Sequence, residues 1–229
     1  TVTGTGIGNA RSIDFTGAIS GTLDIITTHS GTREDDLSAS SGVVNHLTVN
    51  HASAVMRMNA SATLANLTIT AGQFTTADAG GNSKDLTVTG QVLVNGGTLA
   101  LGAATCDFGD VSQSSGIIYG QTSTINLNTG TGGGWVWYRT GGTWDYGTST
   151  VVYKSNGKHM EGEFYNLTIE CASSTHTGVW RADGLASVNM VAAGALLLKE
   201  GKLKRDAAAE DMIVTGNVTL EMGSTLGLL

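Results

Sequence analysis

One short phrase returns along this chain and limits what it can fold into: His46-Leu47-Thr48-Val49, Asn66-Leu67-Thr68-Ile69, Asp85-Leu86-Thr87-Val88 and Asn166-Leu167-Thr168-Ile169. In each copy apolar and polar residues alternate, the period-two pattern of a strand with one buried face. The first three copies, at Leu47, Leu67 and Leu86, stand 20 and then 19 residues apart. A strand returning about every 20 residues is what one coil of a solenoid supplies, since such a unit cannot bury its greasy face alone. Stacked coils would place Leu47/Val49, Leu67/Ile69 and Leu86/Val88 in an inward aliphatic ladder. They would also place Thr68/Thr70 and Thr87/Thr89 outside, an array too short for ice binding.

Composition agrees with an all-β chain. Among 229 residues there are 33 Gly and no Pro, aromatics make up 6% and charged residues 14%, and amphipathic helical runs are hard to find.

A longer period encloses the short one. Gly21-Thr22-Leu23-Asp24 matches Gly142-Thr143-Trp144-Asp145 at an offset of 121, and LANLTITAG from Leu64 matches LASVNMVAAG from Leu185 at the same offset. Leu47 matches Leu167 at 120, and VTGQVLVNGGTLALG from Val88 matches VTGNVTLEMGSTLGLL from Val214 at 126. The sequence therefore divides into two repeat modules, 1–122 and 123–229, expected to run as one solenoid. The duplication extends the core ladder to Leu167, Ile169, Val188 and Ile213. Coils in the second copy are less even, at 21 and 25 residues from Leu167 to Val188 to Ile213, so tandem β-sandwich domains stay open as the alternative fold.

The segment GGTWDYGTSTVVYKSNGKHMEGEFYNLTIE, with coils of the form LTVTGQVLVNGGTLALG, resembles repeats of bacterial surface β-solenoid adhesins and of phage tail-fibre or tailspike-like virion proteins. The resemblance implies a right-handed parallel β-helix and a non-enzymatic structural and adhesive role in an extended extracellular or virion fibre. It implies glycan or receptor binding through exposed turns. Unpaired strand edges of a solenoid call for neighbours, either further repeats of the same chain or other fibre subunits, with a homo-oligomer as one such assembly. A tailspike-like polysaccharide depolymerase and a purely structural spacer are the alternatives. The pattern brings no catalytic residues with it.

Charge argues against a polyanionic partner. The net charge is −7, with twelve scattered Lys and Arg, so the footprint of a nucleic-acid binder is missing. The longest apolar run, Met190 to Leu198, is about half the length that a spanning helix needs. The chain starts at Thr1 without a signal-like segment and reads as an internal piece of a longer or processed protein. Cys106 and Cys171 fit no metal or redox spacing and are expected to be buried free thiols.

Three constellations could carry chemistry. Trp135, Trp137, Tyr138, Trp144, Tyr146 and Tyr153 fall within 19 residues, and flat aromatic faces suit sugar stacking or a protein interface. Ile13, Phe15 and Leu23 in the first copy align with Trp135, Trp137 and Trp144, so much of the block is expected inside. Tyr138 and Tyr146 are then the better surface candidates, with Trp135, Trp137 and Trp144 kept as further glycan-binding candidates. Paired carboxylates for glycosidic cleavage would be Asp107/Asp110 or Glu161/Glu163. Glu34-Asp35-Asp36 and the run Asp78 to Asp85 offer oxygen ligands but fit no calcium loop, and neither a metal nor a cofactor is expected. The sequons at Asn66 and Asn166 belong to the recurring phrase and report strand pattern rather than glycosylation.

Overall fold

The computed structural model describes residues 11–15, 24–27, 33–39, 43–128, 134–175, 177–180, 190–205 and 212–227. Among them the regular elements are all strands, and they pair in parallel; an antiparallel bridge, Ala77 with Ser83, closes one hairpin. Parallel neighbours need a long crossover between them, and here the crossover is the remainder of one coil. Leu47 faces Leu67, Leu86 faces Cys106, Cys106 faces Ile125, and Val151 faces Leu167, which faces Leu196. The chain winds in this way about seven times and forms a parallel β-helix. Sandwich domains are antiparallel, so the sense of pairing removes that alternative.

Each coil has three sides. The strand Leu86–Ala100 is 15 residues long, but its register against Thr105–Tyr119 shifts after Val88 and again after Val94 and Asn95. Those shifts are corners, dividing the coil into 86–88 on the first side, 92–94 on the second and 98–100 on the third. In later coils the sides separate into short strands, as in Thr124–Leu127, Trp135–Arg139 and Thr143–Asp145.

Alternation along each side sends one set of residues into a common interior. On the first side Leu64, Val88, Phe108, Leu127, Tyr153, Ile169 and Leu198 lie directly over one another, and none is more than 1% exposed. On the third side Phe74, Leu99, Ile118 and Trp144 do the same. Burying one such side chain contributes about 1.5–3 kcal/mol, which offsets the entropy of ordering the coil that carries it. The ladder crosses the 122/123 boundary expected from the sequence: Thr124–Leu127 pairs with 105–108 on one edge and with Thr150–Tyr153 on the other.

Coil length varies more than the 20-residue period expects. Successive partners on the first side are separated by 24 residues from Ala62 to Leu86, 20 to Cys106 and 19 to Ile125. They then run 26 to Val151, 16 to Leu167 and 29 to Leu196. This changes the expected stacking. Leu67 lies between Leu47 and Val92, whereas Leu86 lies on a different side between Ala62 and Cys106. The Ala77–Ser83 hairpin is the cause, because it lengthens that coil and leaves the next phrase one corner short, on the first side instead of the second. Thr87 accordingly stacks on Thr63 and Asp107, and Thr68 on Thr48 and Leu93, so the two Thr pairs form no shared array.

Leu47, Val49, Leu67, Ile69, Leu86, Val88, Leu167 and Ile169 are all buried. Val188 lies outside the described residues. Ile213 departs from the expected core ladder: it is 44% exposed, because Met212 and Val214 turn towards the core and alternation sends the residue between them outward.

Candidate functional site

The interior changes character around the coil that contains Trp135–Arg139. Val49, Ile69 and Val94 form an aliphatic column on the second side, but the next two members are Gln113 and Arg139. Both are buried, as is Glu161. A buried guanidinium needs partners for its donors. Arg139 Nε donates to Gln113 Oε1 at 2.9 Å and Nη2 donates to the Gly142 carbonyl at 3.1 Å. Gln113 Nε2 in turn donates to the carbonyls of Thr143 at 2.9 Å and Gly116 at 3.2 Å. Burial lowers the Arg139 pKa, while the charges of Glu161 and Glu163 act in the opposite direction.

Aromatic rings fill the space beside this polar column. Trp137 meets Trp144 at a centroid distance of 5.0 Å and Phe164 at 5.9 Å, in tilted and edge-on arrangements. Trp144 Nε1 donates to the Glu163 carbonyl at 2.7 Å, joining the third side of this coil to the next. The third side is interrupted here, since Thr143–Asp145 pairs with 117–119 but Glu163–Phe164 belongs to a separate three-stranded sheet. Trp137 is 1% exposed and Trp144 is 8% exposed, so both are removed from the glycan-binding candidates: they pack inside the core, Trp137 against Trp144 and Phe164.

Trp135, Tyr138 and Tyr146 remain half-buried at the surface. Trp135 lies 4.9 Å from Tyr138 and 5.2 Å from His159, inclined at 43° and 47°. Tyr146 stacks on Tyr165 at 6.4 Å around a different corner. The structure therefore splits the aromatic block: Trp137, Trp144 and Tyr153 lie in the core, Trp135 and Tyr138 join His159 in a surface trio, and Tyr146 pairs with Tyr165. Sequence reasoning missed His159 and Tyr165, although each stands one coil beyond its partner, 24 residues after Trp135 and 19 after Tyr146. Searching for aromatics at coil spacing would have found them. The side chains of Ile13 and Phe15, and Leu23 altogether, lie outside the described residues.

The carboxylate pairs do not converge. Asp107 faces outward in register with Thr87 and Asn126, whereas Asp110 is buried at the start of the next side. Glu161 is fully buried and Glu163 is exposed, because a turn through Gly162, at φ 117°, separates them. A surface depression of about 400 Å³ near Ala52–Val55, Gly72, Gln73 and Thr98 is lined by no titratable side chain.

In the acidic run after Asp78, the carboxylate is occupied by protein donors. Asp78 Oδ1 accepts from the backbone N–H groups of Gly80 and Asn82, each at 2.9 Å, and Oδ2 pairs with Lys84 at 3.1 Å. Among the described residues no group of three or more His, Cys, Asp or Glu is arranged to hold a metal. The side chains of Glu34, Asp35 and Asp36 lie outside those described. Cys106 and Cys171 are free and buried, and burial pushes both thiols up, Cys171 to about 11.

Compared with protein families, curated proteins and solved structures, the chain gives no match.

Proposed function

We propose that this chain is a non-enzymatic structural and adhesive segment of an extended extracellular or virion fibre, of the phage tail-fibre or bacterial surface-adhesin kind. Its neighbours are further coils of the same chain or other fibre subunits, and its ligands are host or surface glycans. The observation that supports this reading is the uninterrupted ladder from Leu64 to Leu198, which ties successive coils by parallel pairing and close-packed side chains into a stiff element. Stiffness and repetition suit reach rather than turnover. A depolymerase would need carboxylates opposed across a groove, and Glu161 in the core with Glu163 in solvent does not supply that pair.

The adhesive part is tested by presenting the purified chain to an array of bacterial surface and host glycans. Saturable binding to a glycan class, without release of shorter saccharides, is the expected result. Release of shorter products would replace the adhesive reading with the depolymerase one, and no binding would leave the spacer.

A further inference from the structure

We propose that Tyr138, Trp135 and His159 form one carbohydrate subsite, a row of rings that takes the apolar face of a neutral pyranose. This rests on the adhesive reading above and names its site.

A local irregularity carries the argument. His159 pairs with Trp135 and Met160 with Trp137, so one step on the later strand opposes two on the earlier one, and Val136 is the extra residue of a β-bulge. On a regular strand Trp135 and Trp137 would share a face and both turn inward. With the bulge, Val136 and Trp137 are both buried while Trp135 stays half-exposed. Re-aiming one side chain is what such bulges commonly do.

The outward column below tells the same story from another direction. It reads Thr48, Thr68, Leu93 and Ser112 over four coils and then becomes Tyr138. Tyr138 thus comes beside the re-aimed Trp135, and His159 extends the row onto the next coil. The rings are inclined to one another rather than stacked in parallel, and all three residues are partly exposed to solvent. Each ring also carries a polar edge, which matches a sugar that presents C–H groups on one face and hydroxyls around its rim.

The surroundings favour a small ligand over a protein. Among the described residues, the large hydrophobics exposed to solvent are Ile213, Val218, Leu220 and Met222, all in the final coils. Gly134 and Thr140 border the row and are exposed, so among the described residues it sits in no broad apolar patch of the kind that centres a protein interface.

The test uses the full chain with the array repeated for Trp135→Ala, Tyr138→Ala and Tyr146→Ala, followed by titration calorimetry with the strongest neutral hexose oligosaccharide. Trp135→Ala and Tyr138→Ala should each weaken binding by roughly tenfold or more, the scale of one lost aromatic contact. Trp135→Phe should retain most of the affinity, and Tyr146→Ala should change nothing. Unfolding midpoints measured alongside separate lost binding from lost folding. If binding survives at Trp135 and Tyr138 and disappears at Tyr146, the row is not the site, although the adhesive reading stands. If no neutral glycan binds the unaltered chain, the row falls, and binding confined to charged glycans would still leave the adhesive reading in place.

Discussion

Asn66 Oδ1 accepts a hydrogen bond from the backbone N–H of Gln91 at 2.9 Å, one coil further on. Asp85 makes the same bond to Thr105 and Asn166 to Ala195, each at 2.9 Å. All three acceptors stand immediately before the Leu of the recurring phrase, and each donor stands immediately before the residue that stacks on that Leu. The phrase is therefore a corner clamp followed by a core strand. Glycine completes it twice: a Cβ added at Gly90 would lie 2.6 Å from Asn66 Oδ1, and one at Gly194 would lie 2.5 Å from Asn166 Oδ1.

Removing a clamp should cost stability according to its exposure. The Asn166 bond is partly buried and the Asn66 bond is exposed, so water replaces the second more easily. Asn166→Ala is expected to lose about 1–2 kcal/mol and Asn66→Ala about half as much, read from urea midpoints at unchanged slope.

Gln121 is the non-glycine residue with a left-handed backbone among those described, at φ 51°. Gly102 and Gly147 occupy the same corner one coil before and one coil after, at φ 58° and 54°. Thr122 N–H bonds to the Gly102 carbonyl and Thr148 N–H to the Gln121 carbonyl, which holds the three corners in register. Gln121→Gly should stabilise the chain by about 0.5–1 kcal/mol, seen as a higher thermal midpoint, since only the side chain makes this conformation costly.

Core and surface positions of the expected ladder should respond differently. Leu86→Ala and Leu67→Ala remove fully buried side chains and are expected to cost about 2–5 kcal/mol each, and an Asp at either position should prevent folding. Ile213→Ala, at an outward position, should change stability by no more than about 0.5 kcal/mol. Equal losses at Leu86 and Ile213 in chemical unfolding would contradict the register described above.

The Asp78 turn should persist into acid. Hydrogen bonding, first from the Asn82 backbone and then from Lys84, lowers the Asp78 pKa from 3.8 to about 2. A depressed carboxylate contributes its stabilisation above the unfolded value, 3.8, and loses it as pH falls through about 2. A carboxyl chemical-shift titration should therefore place the Asp78 midpoint well below those of solvent-exposed aspartates, and Lys84→Ala should move it upward.

The all-β character, the solenoid and the inward alternation were legible because a period-two phrase recurring at coil length leaves few other arrangements. Which side each phrase occupies was not legible. Leu64, Asn66, Leu67 and Ile69 have the same local roles as Phe164, Asn166, Leu167 and Ile169, yet the first set turns from the first side to the second and the other from the third to the first. A local pattern specifies a corner and a strand, while the angular position depends on every insertion before it, such as the Ala77–Ser83 hairpin. Trp135 and Trp137 show the same limit at smaller scale. Their equal parity predicts a shared face, and the bulge at Val136, set by pairing with a strand one coil away, divides them.

Electron cryo-microscopy of the purified chain, at a resolution that separates strands, tests the central claim most directly. The account predicts one continuous stack with rungs about 4.8 Å apart, running unbroken from the coil of Leu86 through Thr124–Leu127 to that of Leu196. Two separate globules meeting near residue 122, with antiparallel strands in each, would contradict it.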